Sequence, residues 1–103
     1  SKNVILSANG QNIYPEEIEA VVNNQPYVIE SVVISRGTKI VALVYMDNDK
    51  IKADAVDLEA YKNTMMVEIN KAMPAYSKVN LVEYMDQPFE KTPKMSIKRF
   101  MYK

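Results

Sequence analysis

The chain has 103 residues, which suffices for one hydrophobic core and not for two. Its 13 basic and 13 acidic residues cancel, and because a neutral domain lacks the positive surface that holds a phosphate backbone, we expect no nucleic-acid partner. The absence of cysteine and histidine excludes disulfides and a Ser/His/Asp arrangement, and the acids show no metal-ligand spacing. No apolar run approaches the roughly 20 residues of a transmembrane helix, so we expect a soluble, cytoplasmic protein.

The first quarter of the chain predicts a β-hairpin followed by a helix. Residues 4–7 and 11–14 are short strand candidates, and the turn between them ends at Gly10, which can take a positive φ. Pro15 suits the first position of the helix. We interpret Glu16, Glu17 and Glu19 as exposed acids of the first helical turn, where they face the positive end of the helix dipole.

The remainder predicts a small sheet and a long helix. Residues 28–35 and 39–46 are β-branched runs that predict an antiparallel hairpin, followed by a polar turn at 47–50. Residues 54–73 predict one helix that Pro74 stops, residues 78–84 a third strand, and residues 96–102 a short terminal helix. The sequence therefore predicts a single α+β domain over residues 1–103, with a three-stranded antiparallel sheet flanked by helices and an N-terminal β-hairpin.

Two stretches are more specific than this patterning. The first, GQNIYPEEIE, starts at Gly10, and the second, FEKTPKMSIKR, starts at Phe89. They resemble the G-x-N-I-x-P-x-E-I-E and P-K-T-x-S-G-K-I-x-R motifs that open and close the C-terminal domain of adenylate-forming (AMP-binding) enzymes. Both occur in the right order, and the resemblance covers essentially the whole chain. The residues of the first stretch are most similar to those of bacterial long-chain fatty acid–CoA ligases.

The resemblance implies a function shared with a second domain. In this family a large N-terminal domain binds ATP, Mg²⁺ and the carboxylate, and the small C-terminal lid domain rotates between acyl-adenylate formation and thioester formation with CoA. It implies an ATP-dependent, AMP-forming fatty acid–CoA ligase that is inactive without the N-terminal domain. We expect that domain upstream, because the chain begins without Met, and any inner-membrane contact would involve the full-length protein. The alternatives are an adenylating domain that loads a carrier protein and a non-catalytic interaction module.

The closing motif departs from the family pattern at the residue that matters most. The family's catalytic lysine bridges the carboxylate and the α-phosphate of ATP, and its position falls here on Ser96, while the motif glycine falls on Met95. Serine supplies no cation, so the resemblance leaves Lys94 and Lys98 as candidates. We favour Lys94, because Lys98 and Arg99 already match the basic pair that follows the catalytic position.

The resemblance assigns two further roles near the N-terminus. Lys2 matches the hinge about which the domain rotates. Ser7, Ala8, Asn9 and Gly10 match the hairpin turn that approaches the pantetheine of CoA, with one residue more than many family members have. We therefore expect this turn to line the pantetheine tunnel.

Overall fold

A three-stranded sheet forms the centre of the fold in the computed structural model, which describes residues 3–103. A separate two-stranded hairpin precedes it, and 3-10 helices at Ala75–Ser77 and Arg99–Met101 complete the chain. The strands and α-helices are β1 (Ile5–Leu6), β2 (Asn12–Ile13), α1 (Pro15–Val22), β3 (Val28–Arg36), β4 (Lys39–Met46), α2 (Asn48–Ala53), α3 (Leu58–Lys71) and β5 (Leu81–Tyr84). The α+β class, the three-stranded sheet and the N-terminal hairpin are confirmed.

The order of strands in the sheet is β3-β4-β5. The predicted hairpin of β3 and β4 is confirmed as antiparallel, with Arg36 opposite Lys39 beside the turn. Gly37 lies in that turn with a φ of 60°, a conformation that glycine adopts without a side-chain penalty. β-branched residues make up five of the nine residues of β3 and, together with Tyr45, half of β4, so local preference already favours this pairing.

The prediction of a fully antiparallel sheet is wrong at β5, which runs parallel to β4 with Val41 opposite Leu81. A parallel neighbour requires a crossover connection, and α3 supplies it. At 1.5 Å per residue this helix of 14 residues spans about 21 Å, enough to return the chain towards the start of β4. Asn80 then fixes the register, because its backbone N–H donates to the Ile40 carbonyl at 2.8 Å.

The helical boundaries also differ from the prediction. The chain forms two helices, α2 and α3, where the pattern predicted a polar turn at 47–50 and one helix over 54–73. Asp47 and Asp57 begin them, because each carboxylate accepts a hydrogen bond from a backbone amide three residues later. Ala55 separates them with a φ of 52°. The predicted terminal helix shortens to the 3-10 turn Arg99–Met101.

Both faces of the sheet are buried. On one face α1 and α3 pack against the strands, and Ile18, Met65 and Ile69 there have no exposed surface. On the other face the C-terminal segment covers the sheet, with Phe89 only 2% exposed and its ring edge-to-face with Tyr102 at 5.0 Å between centroids. The fold thereby attaches the closing motif directly to the core. Within residues 3–103, no helix has the length and apolar character needed to cross a membrane.

Candidate functional site

The closing motif folds as a tight hairpin, here called the closing hairpin (residues 90–99). Lys91 and Ile97 form an antiparallel bridge between its arms. The Thr92 amide donates to the Ser96 carbonyl at 2.8 Å, and the Met95 amide donates to the Thr92 carbonyl at 2.8 Å. The Ser96 amide also donates to the Thr92 hydroxyl oxygen at 3.2 Å. Residues 93–95 therefore form the tip of a closed turn.

The tip presents an ammonium group to solvent. Lys94 is exposed, and none of the carboxylates in residues 3–103 pairs with it. Met95 follows it with a φ of 67° and is 72% exposed. This left-handed conformation is uncommon for a residue that carries a side chain. Ser96, also exposed, completes the turn without a charge.

Lys98, the second candidate, occupies a different environment from Lys94. It lies beyond the tip on the second arm, where its amide donates to the Glu90 carbonyl at 2.8 Å. Its side chain is half-buried. Of the two candidate lysines, Lys94 is therefore the one that projects at the tip.

The first arm of the closing hairpin is attached to β3 by Glu30. The Lys91 ammonium lies 2.9 Å from Glu30 Oε1 and 3.1 Å from Oε2. The Phe89 amide donates to the same carboxylate at 2.9 Å, and Lys91 also donates to the Phe89 carbonyl at 2.9 Å. The carboxylate is thus shared between a side chain and the backbone at the entry to the hairpin.

The second arm is attached to α1 by Glu19. The Arg99 guanidinium donates from Nη1 to Glu19 Oε2 at 2.7 Å and from Nη2 to Oε1. The Val33 amide on β3 donates to the same Oε2 at 2.7 Å. This bidentate hydrogen bonding raises the pKa of Arg99. The opening and closing motifs, far apart in sequence, are therefore joined by one ion pair.

The expectation that Glu19 is exposed is wrong, because the residue is only 6% exposed. Pro15, Ile18, Glu19 and Val22 form the buried side of α1 at the i, i+3, i+4, i+7 spacing of a helical stripe. Glu17 is exposed, as expected, whereas Glu16 is half-buried. The stripe spacing is the sequence signal that identifies Glu19 as a buried acid in need of a partner.

The opening hairpin (residues 5–13) places Ser7, Ala8, Asn9 and Gly10 in one turn. The Ser7 amide donates to the Gln11 carbonyl at 2.9 Å, and the Gly10 amide donates to the Ser7 carbonyl at 3.0 Å. The Ser7 hydroxyl donates to Asn9 Oδ1, and its oxygen accepts a hydrogen bond from the backbone N–H of Gln11 at 3.0 Å. Gly10 takes a φ of 84°. The predicted turn and its glycine conformation are therefore confirmed as local structure.

A groove of about 420 Å³ lies beside this turn. Its other walls are the β3–β4 turn and the 3-10 helix at Ala75–Ser77. Lys39 and Lys78 line it, both exposed, and Lys78 Nζ donates to the Asn70 carbonyl at 2.9 Å. Two basic residues in the lining of an open groove suit an anionic ligand. The part of the chain that the structure describes contains no group of acidic side chains able to hold a metal ion.

The sequence of residues 2–102 matches the family described as AMP-binding enzyme C-terminal domain. The chain belongs to this family. The first signature stretch runs from the opening hairpin into α1, and the second forms the closing hairpin. Lys2, the expected hinge of this AMP-binding C-terminal domain, lies outside the described residues.

Solved structures share the fold of this AMP-binding C-terminal domain. It aligns with a Mycobacterium tuberculosis fatty acyl CoA synthetase at 24% identity and a TM-score of 0.74, covering 97% of this chain and 19% of that one. An anthranilate CoA ligase, AuaEII, in complex with anthranoyl-AMP aligns at 22% and 0.80, covering 95% and 18%. The adenylation domain of a carboxylate reductase from Mycobacterium chelonae aligns at 18% and 0.79, covering 97% and 17%.

The solved chains are much longer than this one. The chain spans about a fifth of the length of the solved chains that it matches. At identities below 25% the similarity establishes the fold of this domain and not its substrate. The sequence matches none of the curated proteins with which it was compared.

Proposed function

We propose that this chain is the C-terminal domain of an ATP-dependent, AMP-forming fatty acid–CoA ligase. It would act with an N-terminal domain that binds most of the ATP, Mg²⁺ and the acid, and it would rotate about Lys2 between the two half-reactions. Family membership supports the adenylate-forming chemistry. The resemblance of the opening motif to long-chain fatty acid–CoA ligases supports a fatty acid as the substrate.

The adenylation role rests on the exposed ammonium of Lys94 at the tip of the closing hairpin, which pairs with no carboxylate among residues 3–103. In adenylation a carboxylate oxygen attacks the α-phosphorus of ATP, the bond to pyrophosphate breaks, and negative charge develops on the phosphoryl oxygens. A positioned cation stabilises that charge. Ser96 has no charge to offer, and Lys98 is half-buried on the second arm. Lys94 is therefore our candidate catalytic residue.

The groove beside the opening turn supports CoA as the acceptor in the second half-reaction. There the thiol loses its proton to solvent, its sulfur attacks the acyl carbonyl carbon, and AMP leaves with the electrons of the broken C–O bond. The backbone of Ser7, Ala8, Asn9 and Gly10 would line the path of the pantetheine. Lys39 and Lys78 on the groove would then face the phosphates at the nucleotide end of CoA. Supplying CoA or carrier-bound pantetheine to the acyl-adenylate distinguishes the two acceptors.

The test uses the intact protein with its N-terminal domain and measures fatty-acid-dependent pyrophosphate release. We expect Lys94→Ala to slow acyl-adenylate formation roughly 100- to 1000-fold, the equivalent of about 3–4 kcal/mol for a lost charge contact in the transition state. Lys98→Ala is the matched control and should change the rate by less than about threefold. Thioester formation from presynthesised acyl-adenylate should be similar in both variants.

The opposite outcomes are equally informative. Loss of adenylation in Lys98→Ala with normal Lys94→Ala would move the catalytic role to Lys98. Normal rates in both variants would mean that this domain contributes no lysine to adenylation. Ser96 favours one second candidate function, a non-catalytic interaction module. An intact wild-type protein that forms no adenylate with any carboxylic acid tested would support that candidate and overturn the proposal.

A further inference from the structure

The two arms of the closing hairpin are each held by an acid from another element. Glu30 of β3 binds Lys91, three residues before Lys94, and Glu19 of α1 binds Arg99, five residues after it. From this arrangement we infer that Glu19 and Glu30 are positioning residues, which make the closing hairpin rigid and so hold Lys94 in place. The inference rests on the proposed function only where it concerns Lys94.

Burial distinguishes these two ion pairs from those on the surface. The side chains of Lys91 and Glu30 are 25% and 16% exposed, and those of Arg99 and Glu19 are 26% and 8% exposed. Solvent screens such pairs less than exposed ones, and removing one partner leaves a poorly solvated charge. The ion pairs at the hairpin therefore resist opening more than an exposed pair does.

Backbone hydrogen bonds give the two acids a geometric role as well. The Glu30 carboxylate also accepts the Phe89 amide, and the Glu19 carboxylate also accepts the Val33 amide. Glu30 therefore joins β3 to the backbone just before the first arm, and Glu19 joins the second arm to the backbone of β3. Both arms are thus connected to β3, so the position of the tip relative to the sheet is fixed from two sides.

This rigidity has a consequence for catalysis. A transition-state cation is most effective when its position requires no reorganisation at the moment of reaction. If residues 92–96 were mobile, the ordering of the loop would add to the barrier for adenylation. With both arms held, Lys94 moves as part of the domain, and domain rotation alone delivers it to the phosphate or withdraws it.

Amide hydrogen exchange in this chain tests the structural part. Glu30→Gln and Glu19→Gln should each raise exchange of the Thr92 and Lys98 amides about tenfold or more, because charge-assisted hydrogen bonds to the arms are lost. Glu83→Gln is the matched control, because it removes an exposed ion pair with 43% and 37% exposure of its side chains. It should leave both amides unchanged.

A double-mutant cycle separates the ion pair from other effects of substitution. Glu30→Gln combined with Lys91→Met should be little worse than either single variant, because the pair is already broken in each. Lys91→Arg retains the charge and should keep the wild-type exchange rates. It also keeps the test decisive if Lys91→Met folds poorly.

Kinetics of the intact protein test the catalytic part. Glu30→Gln and Glu19→Gln should lower kcat for adenylation about tenfold at saturating ATP, with KM for ATP and thioester formation from presynthesised adenylate close to wild type. Unchanged amide exchange in both variants overturns the inference, and so does raised exchange with wild-type kcat. A wild-type protein without adenylation activity overturns the proposed function instead, while the exchange data still decide whether the hairpin is held.

Discussion

The opening and closing hairpins solve the same local problem differently. Each reverses the chain through a turn that contains one residue at positive φ. In the opening hairpin this residue is Gly10 at 84°, and in the closing hairpin it is Met95 at 67°. Glycine takes the conformation without a side-chain penalty, whereas methionine pays about 1–2 kcal/mol for it. The closing turn is therefore maintained by contacts outside the turn, and not by the conformational preference of Met95.

Tertiary contacts account for the difference. The opening hairpin has one pair of strands with two opposed residue pairs, and hydrogen bonds of Ser7 close its turn locally. The closing hairpin has a single bridge between its arms, but Phe89 packs in the core and the Lys91 and Arg99 ion pairs hold the two arms. A turn held through its arms tolerates changes at its tip. This explains how the closing hairpin forms although Met95 lies at a positive φ in its turn.

The largest effect is expected where the closing hairpin meets the core. Phe89→Ala should lower the free energy of unfolding by about 3–5 kcal/mol, because a buried ring and its contact with Tyr102 are lost. Phe100→Ala, at a residue 72% exposed, is the control and should change stability by less than about 0.5 kcal/mol. Urea denaturation measures both. Similar small losses would mean that the closing segment is not part of the cooperative core.

Substitutions at the positive-φ residues of these two hairpins, Gly10 and Met95, should change the free energy of unfolding in opposite directions. Gly10→Ala should destabilise by about 1 kcal/mol, and since no atom lies within 4 Å of an added Cβ, the cost is conformational. Met95→Gly should stabilise by about 0.5 kcal/mol, the relief of left-handed strain less the entropy of glycine. Thermal unfolding of the two variants compares them directly. Destabilisation by Met95→Gly would show that the closing turn carries no such strain.

The smallest effect is expected at the exposed pair of Arg36 and Glu83. A hydrogen bond from Arg36 lowers the pKa of Glu83 below its ordinary value of 4.5. A depressed carboxyl pKa stabilises the fold above that ordinary value, and the contribution is lost as the pH falls through the folded-state pKa. Glu83→Gln should therefore lower the unfolding midpoint slightly at pH 7, and this difference from wild type should shrink as the pH falls below 4.5. A loss as large as that in Glu30→Gln would contradict the importance of burial at the closing hairpin.

Local signals in the sequence determined most of the elements. β-branched runs identified β3 and β4, Pro15 marked the start of α1, and the turn ending at Gly10 separated β1 from β2. These features depend on neighbouring residues, which is why patterning alone could identify them. The two signature stretches likewise indicated the family, which the match over residues 2–102 confirms.

Tertiary structure decided the features that join distant residues. The parallel direction of β5 depends on where α3 returns the chain, and the hydrogen bond from the Val33 amide to Glu19 depends on how α1 packs against β3. The partners of Lys91 and Arg99 lie 61 and 80 residues away. A residue type and its spacing report local preference, but a contact between distant residues exists only once the path of the chain brings them together.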